Sequence, residues 1–143
     1  MKKILFAICF AILLVGCSEK KDSITEFKYE FGGGWTTTYT YEIKKVDNKY
    51  SFKATESLKD SETVLKEISK KDVEKLEDII KKYEIDKWNG FNDSDNDIMD
   101  GTYFSLDVKY DSGSVIKAYG YMKSPDNYQE AHNALVDFLN GLK

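Results

Sequence analysis

Arginine is absent from this chain, and every basic residue is Lys. The bidentate clamps that grip phosphates or carboxylates therefore lack their usual side chain. Histidine occurs once, as His132, so no His-based transition-metal set can form. Cysteine occurs twice, at positions 9 and 17, and proline once, at position 125. No Gly-x-Ser-x-Gly elbow is present. The glycine run Gly32-Gly33-Gly34 lacks the Lys-Ser/Thr and the following helix of a phosphate loop, and it lies between two strand patterns, as a turn or bulge would. The longest apolar run, residues 4–15, is short of the roughly 20 residues a spanning helix needs.

What the chain does have begins at its N-terminus. Met1-Lys2-Lys3 precedes that apolar run, and Leu14-Val15-Gly16-Cys17 follows. A positive start, a short apolar core and a small residue at a cut site are the three parts of a secretory signal. Leu14 is too bulky for an ordinary cleavage site, but Leu-Val-Gly-Cys resembles the lipobox of bacterial lipoproteins. The resemblance implies cleavage before Cys17 and transfer of a diacylglyceryl group, with acyl chains such as palmitate, to its thiol. It implies a protein anchored in the cell membrane by lipid and facing the extracytoplasmic side. Cys9 would leave with the signal, so the mature domain would have no free thiol, disulfide or thiolate ligand.

The expected organisation is a signal peptide over residues 1–16, a lipidated cysteine and polar tether over 17–23, and one domain over 24–143. Loss of Lys2 and Lys3 takes the balance from 21 basic against 25 acidic residues to 19 against 25, a net charge of −6. Such a domain should repel nucleic acid. Its 14% aromatic content suits a core held by packing alone.

From Ile24 the apolar period is two: Phe27, Tyr29 and Phe31, then Trp35, Tyr39, Tyr41 and Ile43, then Tyr50, Phe52 and Ala54 after an Asp47-Asn48 turn. A weaker strand is expected over residues 63–68. Ser69 and Asp72 open a helix with Val73, Leu76, Ile80 and Tyr83 on one stripe. Phe104, Leu106, Val108 and Tyr110 mark another strand, Asp111-Ser112-Gly113 a hairpin turn, and residues 115–122 its partner. A last helix is expected to start at Ser124-Pro125, with Asn127 as an alternative cap. Its apolar face is Ala131, Ala134, Leu135, Phe138, Leu139 and Leu142. The order β-β-β-(β)-α-β-β-α implies an α+β fold, an antiparallel sheet of five or six strands with two helices on one face. From Trp88-Asn89-Gly90-Phe91 through Asp100-Gly101-x-x-Phe104-Ser105-Leu106 to Pro125-x-Asn127-Tyr128, the domain resembles a family of small uncharacterised bacterial lipoproteins, to which no activity is attached.

The acidic segment over residues 92–100 is the main chemical candidate. Asp93, Asp95, Asp97 and Asp100 could offer oxygens to a hard cation, and Asp93-x-Asp95-x-Asp97 matches the first three ligand positions of an EF-hand. Ile98 then stands where Gly makes the turn and Phe104 where Glu should close the site, so a solvated turn is favoured over a metal site. His132 is expected at the border of the last helix's apolar face. The expected function is a binding or interaction module for an envelope protein or small ligand, neither enzyme nor oligomer, with no cofactor. A small metal-dependent or hydrolase-like activity on the acidic segment and a structural envelope role are the alternatives.

Overall fold

The computed structural model describes residues 22–34, 36–57 and 62–143. Trp35, the expected signal peptide over residues 1–16 and Cys17 lie outside the described residues. Among the described residues, seven strands and two helices form an α+β domain: β1 (Ile24–Gly33), β2 (Thr38–Val46), β3 (Lys49–Ser57), β4 (Glu62–Ile68), α1 (Lys70–Lys82), a 3-10 turn (Ile85–Trp88), β5 (Asn92–Ser94), β6 (Thr102–Tyr110), β7 (Val115–Tyr121) and α2 (Tyr128–Gly141). The fold class is the expected one. The strand count is one or two higher, because Asn92–Ser94 of the acidic segment adds to the sheet edge, parallel to β7. No strand periodicity marks three polar residues; their pairing is imposed by the neighbouring strand.

The sheet order is β4-β3-β2-β1-β6-β7-β5, and all pairs except β5 with β7 are antiparallel. Asp47 and Asn48 both have positive φ, the geometry of a two-residue hairpin whose twist matches its strands. In register, Phe27 faces Ile43 and Val108, while Tyr29 faces Tyr41 and Leu106. These residues share one face, and every one is buried. The other face carries Lys28, Glu30, Glu42, Lys53, Asp107 and Lys117, bridged in part by Lys53–Glu42 and Lys117–Asp107 pairs.

Both helices cover the apolar face. Val73, Leu76 and Ile80 of α1 and Ala131, Leu135 and Leu139 of α2 join the strand residues in one core. Phe138, expected on that face, is only half-buried. Burial of Leu- and Phe-sized side chains contributes about 1.5–3 kcal/mol each, which accounts for a domain without a disulfide. Helix α2 starts at Tyr128, not beside Pro125, because the chain first makes a turn closed by the Tyr128 N–H on the Pro125 carbonyl.

Asp22 and Ser23, read from sequence as tether, are tied to the body. The Asp22 carboxylate accepts from the Ser112 N–H and hydroxyl, which hold its pKa below the usual carboxylate range. Ser23 Oγ and the Ile24 N–H both donate to Oε1 of Glu77, a buried carboxylate on α1, at 2.9 and 3.0 Å. The charge-assisted bonds fix where β1 begins.

Candidate functional site

At the opposite end of β1 the covered face opens into a cleft of about 570 Å³. Its walls come from five places: the end of β1 with the following turn, the start of β2, the start of β6, the end of β7 with the segment after it, and the first turns of α2. Tyr128 and His132 stand four residues apart on α2, so they share a helix face. Alternation along β1 sends Tyr29 and Phe31 toward the same place.

The result is a layered aromatic cluster. Phe31 stacks on Tyr39 with centroids 5.2 Å apart and meets the His132 ring edge-on at 4.6 Å. Phe104 lies 4.6 Å from Tyr128, and Trp88 backs both rings from the core side. At the centre, Tyr29 Oη lies 2.7 Å from His132 Nδ1 and 3.2 Å from Tyr128 Oη. Burial pushes the Tyr29 phenol well above its ordinary pKa and the Tyr128 phenol up as well, so both keep their protons. Burial lowers the pKa of His132, favouring neutral imidazole. The three groups therefore form an uncharged hydrogen-bonding array. Tyr29 has one hydroxyl proton to share between Tyr128 Oη and His132 Nδ1, so the tautomer of His132 sets which of the two receives it.

Two glycines permit this geometry. A Cβ on Gly120 would sit 2.1 Å from the Lys123 carbonyl oxygen and 2.5 Å from the Phe104 ring. A Cβ on Gly33, at φ +139°, would meet the Gly101 carbonyl oxygen at 2.2 Å. The rim also carries Met122 at a φ of +55°, which is uncommon for a residue with a side chain. Its sulfur accepts from the Thr102 N–H at 3.2 Å.

The acidic segment is organised differently from a cation loop. Asp93 lies on β5 beside Gly120, and its Oδ1 accepts from the Ser94 N–H. Asp95 Oδ1 accepts from the Asp97 N–H, and Tyr121 Oη donates to the Ile98 carbonyl while accepting from the Gly101 N–H. Asp93, Asp97 and Asp100 are exposed. Among the described residues no three His, Cys, Asp or Glu side chains gather as a set able to hold a metal ion. No described helix is long and apolar enough to cross a membrane.

His132 does lie at the border of the α2 apolar face, with its ring turned toward the aromatic cluster. The cleft itself was not legible in sequence. Its one local signal is Tyr128 and His132 at helical spacing beside that face. The other walls depend on long-range pairing. No family model, curated protein or solved structure matches the chain, so the site is read from its own geometry. Among the described residues no Ser or Thr hydroxyl bonds to His132. The array offers donors, acceptors and aromatic surface.

Proposed function

We propose that this protein is a lipid-anchored extracytoplasmic binding module, attached to the cell membrane through Cys17, with its ligand site in the aromatic cleft. The observation that carries the reading is the position of that cleft. The tether enters at the start of β1, beside the β6–β7 hairpin, and the cleft lies at the end of β1. A strand of ten residues separates them by roughly 30 Å. A domain tethered at one end and open at the other presents its site away from the bilayer. Two acyl chains on Cys17 give the stable anchoring such a module needs.

Mass spectrometry of the membrane fraction tests the anchor. The expected product begins at a diacylglyceryl-modified Cys17, and Cys17→Ser should release the protein from membranes. An unmodified Cys17, or a Cys17→Ser protein still held by the membrane, overturns the anchoring reading.

A further inference from the structure

We infer that the cleft takes an uncharged polyhydroxylated ligand, a saccharide of one or two rings. This rests on the cleft being the binding site and deepens that reading. The chain has 25 Asp and Glu residues, yet among the described residues none lines the cleft. A cationic ligand would find no carboxylate there. Of the lining residues only Lys123 carries a full positive charge, in a chain whose net charge is −4, which disfavours a multiply charged anion. A neutral ligand is left.

The lining then separates apolar from polyhydroxylated. Phe31, Tyr39 and Tyr128, each partly exposed, offer ring surface, against which the C–H face of a sugar ring buries apolar area. Around them stand the hydroxyls of Thr37 and Ser124, which make no hydrogen bond among the described residues, and the Gln129 amide, whose Nε2 alone is engaged, with Asn133. Free hydroxyl and amide groups beside aromatic walls match a ligand with an apolar face and a polar rim. An all-apolar ligand would leave those groups desolvated and unpaired, at a cost. The volume falls within the ordinary range for a small-molecule site.

His132 supplies the readout, because it is the only histidine and its imidazole signals are unique in a nuclear magnetic resonance spectrum. The full chain in detergent micelles would be titrated separately with cellobiose, maltose and N,N′-diacetylchitobiose, and with inorganic phosphate, choline and indole. At least one neutral disaccharide should shift the His132 signals saturably, while phosphate and choline leave them unmoved. Gln129→Ala, at an exposed position, should weaken that binding about fivefold, the equivalent of one net hydrogen bond. Tyr128→Phe should keep the stacking surface and most of the affinity. Shifts from phosphate, choline or indole but from no disaccharide would overturn the saccharide class and leave the cleft a binding site. No shift from any probe would overturn both. Unchanged saccharide affinity in Gln129→Ala and in Tyr128→Ala would place binding elsewhere and overturn the assignment.

Discussion

Helices α1 and α2 cover the same face of the sheet but begin in opposite ways. The first turn of α1 is closed by its own sequence: Ser69 Oγ accepts from the Asp72 N–H while Asp72 accepts from the Ser69 N–H. Lys81 and Lys82 sit at its other end, where the helix dipole favours cations. Asn127 stands at the equivalent position of α2, yet its side chain makes no capping bond. Its Oδ1 accepts from Trp88 Nε1 at 2.9 Å and its Nδ2 donates to the Tyr83 carbonyl at 2.6 Å. A residue able to cap a helix is used to join α2 to the segment after α1. That contact sets where Tyr128 and His132 stand over the cleft. Local completeness marks the scaffold here, and a diverted local signal marks the site.

The largest effect should come from the scaffold side. Leu76 on α1 is fully buried, and Leu76→Ala should cost about 2–5 kcal/mol in urea unfolding. Phe138→Ala on α2 should cost less despite the larger side chain, because Phe138 is only half-buried. Equal losses at the two positions would mean that the helices contribute alike to the core, and the contrast would fail.

The next effect sharpens the contrast between the caps. Asn127→Ala removes the partner of a buried indole N–H and should cost about 1–3 kcal/mol. Ser69→Ala should cost about 1 kcal/mol, the ordinary value for a lost cap. The decisive variant is Asn127→Ser. Serine caps helices as well as asparagine but cannot reach both Trp88 and Tyr83. Stability as low as that of Asn127→Ala supports the tertiary role; recovery to wild type would assign Asn127 an ordinary capping role.

The same contrast explains what could be read in advance. Period-two apolar residues in β1, β2, β3, β6 and β7 and the capping box of α1 are local patterns, so the class, the covered face and most elements were legible. Strand β4 was weaker because it is an edge: Val64 and Ile68 point inward, but Leu65 is 71% exposed. Strand β5 was hidden, since Asn92, Asp93 and Ser94 have low strand preference and are held by β7 alone. The cleft was hidden for a related reason. Phe31, Phe104 and His132 come together only through the β1–β6 pairing and the packing of α2, and nothing in their spacing announces it. The acidic segment drew attention because its carboxylates are close in sequence, whereas in space Asp93 and Asp95 accept from backbone N–H groups one and two residues on and Asp97 and Asp100 are exposed.

The smallest effect concerns the site end and depends on pH. His132 faces the Tyr29 and Tyr128 phenols and the Phe31 ring, and among the described residues Lys123 is the only charged group lining the cleft. Burial holds its pKa below the ordinary value of about 6.5. The unfolded chain therefore takes up the proton first as pH falls. Stability from the neutral imidazole is fully present above the unfolded pKa and is lost as pH falls through the lower, folded value. Wild type should lose stability between about pH 7 and pH 5 relative to His132→Gln, which carries no titrating group there. Carboxylates common to both proteins cancel in that difference. Thermal melts of the two proteins across this range measure it. A flat difference would show that burial does not disfavour the charged imidazole. A wild type that gains stability toward pH 5 would show the phenol oxygens stabilising an imidazolium, and the uncharged character of the cleft would have to be abandoned.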